Sequence, residues 1–135
     1  MADAAQAPRK RPLSPHLQVY RLTLSMVMSG LHRITGLALA VGMIVLTWWL
    51  LAAAAGQNAY GAFEAFETSW IGRLILFGFS WAVLHHLLGG VRYLLWDLGI
   101  WIDNEEREWL IRANIVGSIL CTVLLWVVLV LSGMQ

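Results

Sequence analysis

The sequence predicts an all-α protein that crosses a membrane three times, and three observations carry that prediction. Residues 34–55, 74–91 and 115–134 are apolar runs of about the length, roughly 20 residues, that crosses a bilayer. Formal charge is absent from all three runs, and the stretch between Arg73 and Arg92 holds none. The 135-residue chain is 59% hydrophobic and 13% charged, with 8 Trp, too apolar a balance for a soluble domain of this size. Three spans leave room only for a tail and two connections. The expected organisation is an N-terminal segment, residues 1–22, and an anchor domain, residues 23–135, with spans at about 25–55, 70–98 and 110–134.

Residues 1–10 are small, polar and basic, a tail outside the membrane. In residues 11–20 the two prolines, Pro12 and Pro15, oppose an early continuous helix. Leu13, Leu17, Tyr20, Leu24 and Met28 nevertheless recur at helical spacing, which suits an interfacial lead-in to the first span. Thr23 or Ser25 can cap that span. Its first turns then hold Ser29, His32 and Arg33 near the headgroup level, with Ser29 and Arg33 on one face. Gly36 with Ala40, and Ala38 with Gly42, are small pairs that permit close helix approach. Trp48 and Trp49 fall toward the far interface.

The connection at 56–69 carries Glu64 and Glu67 and no cation. The second span contains adjacent histidines, His85 and His86. Counting back from Trp96 puts His86 about 15 Å deep, near mid-membrane. The two imidazoles differ by about 100° around a helix, so they serve different surroundings. His86, Gly90, Tyr93 and Asp97 form one stripe, on which Gly90 leaves room for a flat ligand beside His86. Residues 101–112 are acidic and aromatic, an exposed turn or short interfacial helix. The third span has no ionisable group except Cys121, read as a buried inert thiol. That span looks structural.

Charge placement sets the expected orientation. Arg9, Lys10, Arg11, Arg21 and Arg33 precede or open the first span, and Arg92, Arg107 and Arg112 flank the second connection. Positive residues mark the cytoplasmic side, so the N-terminus lies in the cytoplasm and the C-terminus in the periplasm. Arg73 alone dissents, at a position from which it can snorkel. The short N-terminus lacks a transit peptide's Ser- and Arg-rich character, which favours a bacterial inner membrane over the mitochondrial one.

An ionisable residue inside a bilayer is a candidate functional group by default. A neutral imidazole is a good iron ligand, and it is also a common helix-to-helix hydrogen-bonding group. Spacing alone leaves both readings open for His86. With His32 expected near the surface, far from His86 in depth, a six-coordinate haem needs a second ligand from a partner chain. Ser29, His32 and Arg33 suit a carbonyl-bearing amphiphile or a carboxylate, and Arg33 equally suits lipid phosphates. Asp97 is open to two readings, a surface ion pair with Arg92 or a proton relay. No nucleophile constellation, phosphate loop or metal-thiolate spacing is present, and nothing suggests nucleic acid.

Residues 11–20 (RPLSPHLQVY), 29–36 (SGLHRITG) and 86–97 (HLLGGVRYLLWD), in that order, resemble the cytochrome b556 membrane-anchor subunits of succinate dehydrogenase. The match covers 11–97, and the three-span pattern extends it to the C-terminus. The S-x-x-H-R-x-[ST]-G and H-x-x-x-G-x-R-x-x-x-x-D patterns together are specific. The resemblance implies a second three-helix anchor subunit and one haem b sandwiched in the combined bundle, with His86 as this chain's axial ligand. It implies that Ser29 and Arg33 line a ubiquinone site, with Asp97 close by, and that His32 and Arg33 lie near the haem propionates. It further implies an iron–sulfur subunit and a flavoprotein on the cytoplasmic face, delivering electrons from succinate. Where many relatives carry a histidine after the arginine, this chain has Tyr93, which retains a hydrogen-bond donor but no cation. A fumarate reductase or other quinone oxidoreductase anchor, and a haem-free structural anchor, are the alternatives.

Overall fold

The structure, a computed structural model, describes residues 21–133, so the expected tail and interfacial lead-in at 1–20 lie outside the described residues. The described residues form four helices and no strand: α1 (Leu24–Ala55), α2 (Gln57–Thr68), α3 (Trp70–Asp97) and α4 (Asn104–Leu131). Helices α1, α3 and α4 are each long and apolar enough to cross a membrane. The protein is a multi-pass membrane protein. Helix α1, at 32 residues, reaches about 48 Å, well beyond a hydrocarbon core of about 30 Å.

The three long helices alternate in direction. Gly42 of α1 packs directly on the Phe79 ring of α3, while Gly36, nearer the start of α1, meets His86, later in α3. Across the α3–α4 seam, Trp126 Nε1 donates to Ser80 Oγ at 2.9 Å and His85 pairs with Ser118 at 3.2 Å. Both sets of pairs run antiparallel. Helix α1 also touches α4, which closes a three-helix bundle.

The seam between the helices is small and polar, while the outside is apolar. Asn114, Ser118 and Thr122 recur every four residues along α4 and are buried, as are Thr35 on α1 and His85 on α3. Ile34, Leu37, Val41 and Ile44 of α1, and Val116, Leu120, Leu124 and Val128 of α4, are exposed. This inversion suits a lipid solvent, which gives apolar side chains no reason to turn inward. Cys121 is on the exposed face of α4, so the expected burial of its thiol is corrected.

Two connections differ from their expected form. Residues 57–68, expected only as a connection, fold as α2, which lays Phe63 against Trp48 with ring centroids 5.1 Å apart. Trp48 therefore anchors α2, packing on Phe63 and Phe66. The third long helix begins at Asn104 instead of near residue 110. Asp103 is its N-cap residue, and Glu105 and Glu106 occupy its first turn, where carboxylates complement the helix dipole. No proline interrupts the chain after that point, so the acidic stretch becomes the opening turns of α4.

Candidate functional site

Helix α1 starts at Leu24, with Thr23 as its N-cap residue, so His32 is already about 12 Å along the helix. His86 is about 16 Å before the end of α3 at Asp97. The antiparallel crossing brings the two imidazoles level. Their centroids are 3.9 Å apart and their planes within 7° of parallel. The expected separation of His32 and His86 in depth is therefore corrected: the helix starts where expected, at Thr23, but the residues from Leu24 to His32 carry that ring about 12 Å along it, level with His86.

Hydrogen bonding fixes the state of the His86 ring. Its Nδ1 is 3.1 Å from the His32 carbonyl oxygen and 3.3 Å from Thr35 Oγ1. A carbonyl oxygen only accepts, so in the neutral ring Nδ1 carries the hydrogen and Nε2 the lone pair. Among the described residues Nε2 has no hydrogen-bond partner. A histidine that ligates a metal has this arrangement: one nitrogen is held by a backbone carbonyl and the other is bare. Gly90, one turn on, borders open space.

His85 has a different environment. Its ring is 1% exposed, with Nδ1 3.2 Å from Ser118 Oγ on α4. The Ser118 hydroxyl donates to the Ile115 carbonyl at 3.0 Å, so His85 Nδ1 donates to Ser118. The Trp81 ring is 5.2 Å away. His85 Nε2 is buried and has no partner among the described residues.

Sequence reasoning missed two buried groups. Arg92 is 3% exposed, its Nε and Nη1 lack partners among the described residues, and its guanidinium carbon is 5.0 Å from the centres of both the Tyr93 and Trp96 rings. Asn114 is equally buried, with neither side-chain polar atom paired among the described residues. The buried stripe of α3 is His85–Gly89–Arg92, one residue before the stripe of His86, Gly90, Tyr93 and Asp97. The signal was present, because Arg92 follows His85 by seven residues, two helical turns. Of the two readings of Asp97, the surface ion pair with Arg92 is absent among the described residues, where the one ion pair is Arg112–Glu108.

Three other candidates lie apart from the imidazole pair. Ser29 is half-buried one turn before Arg33, and Arg33 and Asp97 are exposed. A cleft of about 340 Å³ opens at the same end of the bundle, lined by Ser25, Arg92, Tyr93, Trp96, Ile102 and Arg107, and none of the three lines it.

Comparison with known proteins decides the family. A family model for the succinate dehydrogenase/fumarate reductase transmembrane subunit matches residues 7–133. The succinate dehydrogenase cytochrome b556 subunit of Paracoccus denitrificans is 43% identical over 128 residues, 95% of this chain and 97% of that protein. The chain belongs to this family. Its Rickettsia felis relative of the same name is 38% identical over 87% of this chain and 92% of that one. The mitochondrial cytochrome b560 subunit of Sus scrofa is 38% identical over 66% of this chain and 54% of its own length. In this transmembrane-subunit family member the two motifs meet at one crossing. The motif on α1 supplies His32, Thr35 and Gly36, and the motif on α3 supplies His86, Gly89, Arg92 and Tyr93. The edge of Tyr93 approaches His32, with centroids 5.2 Å apart. A Cβ on Gly89 would lie 2.6 Å from His32 Nδ1, so only glycine lets His32 seat there.

Proposed function

We propose that the protein is the membrane-anchor subunit of a succinate dehydrogenase, that it binds haem b through His86, and that it contributes to the ubiquinone-reduction site. The observation that carries this reading is the held and half-accessible His86 ring, which the names of the relatives complement. Of the two adjacent histidines, His86 suits the role because its residue is only half-buried and Gly90, one turn on, leaves space, whereas His85 is fully buried and pairs with Ser118 of α4. The haem supplies one-electron storage when bound. The remaining chemistry belongs to side chains of this chain and its partners.

Ser29 and Arg33 bind the quinone in this reading. A hydroxyl and a guanidinium one turn apart can both donate to a carbonyl oxygen, and negative charge grows on that oxygen as electrons arrive. Donors already in position for such charge lower the barrier in the manner of an oxyanion hole. Reduction also consumes two protons, and exposed Asp97, at the same end of the bundle, passes them from water. His32 and Arg33 lie toward the haem propionates.

A second three-helix anchor subunit completes the bundle and supplies the other haem ligand, and iron–sulfur and flavoprotein subunits dock on the side of residues 1–22 and the α3–α4 connection. The membrane is the bacterial inner membrane, with the N-terminus in the cytoplasm, the C-terminus in the periplasm and residues 23–135 as the anchor. The test is a pair of activities of the purified complex. Arg33→Leu and Ser29→Ala are each expected to lower succinate:quinone reductase activity at least about tenfold, given that one lost donor to a developing oxyanion costs about 10²–10³ in rate. Succinate oxidation with an artificial acceptor should persist. Quinone reduction at wild-type rates in both variants refutes the assignment of Ser29 and Arg33.

A further inference from the structure

The reading above leaves two residues of the first motif, Thr35 and Gly36, without a role. We infer that they are positioning residues that fix the plane of the His86 ring and raise the electron-donating strength of its free nitrogen. This inference rests on His86 being the iron ligand.

The His86 ring is held from three directions. Its Nδ1–H faces two oxygens, the His32 carbonyl at 3.1 Å and Thr35 Oγ1 at 3.3 Å. The His32 ring covers one face at 3.9 Å. The backbone of Gly36 abuts the third side, where a Cβ would lie 3.1 Å from Cε1 and 3.6 Å from Nδ1. That spacing is too tight for alanine without a shift of the imidazole. The only basic atom left over is Nε2.

Thr35 is suited to this place by its branching and burial. In a helix a threonine hydroxyl bonds back to a carbonyl three or four residues earlier. Here Oγ1 is 3.0 Å from the carbonyls of both Leu31 and His32. When the hydroxyl donates to Leu31, its lone pairs and those of the His32 carbonyl are both open to Nδ1–H. Thr35 is 2% exposed, so few waters compete for either acceptor. Acceptors on the distal N–H make a ligating imidazole more basic at its other nitrogen. A more basic ligand favours the oxidised metal, one of the ways a protein tunes a haem potential.

The experiment compares Thr35→Val, Thr35→Ser and Gly36→Ala in the intact complex, reading the midpoint potential of the b-type centre and the electron paramagnetic resonance of its oxidised form. Thr35→Val is nearly isosteric but lacks the hydroxyl. It is expected to keep the haem, shift the potential positive and alter the spread of g-values. Thr35→Ser should restore both to wild type, and Gly36→Ala should change the g-values by turning the ring. A Thr35→Val complex with wild-type potential and g-values overturns the inference, as does a Thr35→Ser complex that behaves like the valine variant. The ligand assignment fails separately, if the wild-type complex lacks a b-type spectrum or if His86→Leu retains it.

Discussion

At the scale of single residues, two neighbours with the same side chain have separate environments. His85 and His86 adjoin in sequence, yet one donates to Ser118 of α4 and the other to a carbonyl of α1. Ser118→Ala would leave His85 Nδ1 buried without an acceptor. The expected cost is about 1–3 kcal/mol, read as a lower thermal midpoint of the solubilised complex, with little effect from Ser118→Thr. The angular separation of the two histidines follows from helical geometry alone. The partner of each does not, because it depends on which helix crosses at that height. For the same reason Arg92 was read as a surface cation, although it lies buried two turns after His85.

At the scale of elements, two glycines distinguish packing from propensity. A Cβ at Gly89 meets His32 Nδ1 at 2.6 Å, whereas one at Gly30 meets nothing within 4 Å. Gly89→Ala should therefore destabilise the complex by about 1–3 kcal/mol through overpacking at the α1–α3 crossing. Gly30→Ala should be neutral or stabilising by up to about 1 kcal/mol, since alanine is the better helix former. Thermal unfolding of the two variants side by side measures the difference, and equal midpoints would contradict the crossing geometry. The three long apolar runs were legible because charge and length alone mark a span. Helix α2 was hidden because its single buried side chain, Phe63, packs on Trp48 of another helix, a contact no local pattern reveals. The early start of α4 was masked by an acidic stretch that resembles a loop by composition but suits a helix N-terminus by electrostatics.

At the scale of the whole molecule, a small polar seam and an apolar exterior place the fold in lipid, and the antiparallel crossing assembles both motifs at one level. That convergence supports the central proposal, that the crossing holds His86 by its Nδ1 and leaves Nε2 for haem iron. The most direct measurement is the dithionite-reduced minus oxidised visible spectrum of the purified complex, recorded for wild type, His86→Leu and His85→Leu. A b-type spectrum is expected in wild type, lost or strongly altered in His86→Leu and retained in His85→Leu. A spectrum unchanged in His86→Leu, or lost only in His85→Leu, would contradict the account.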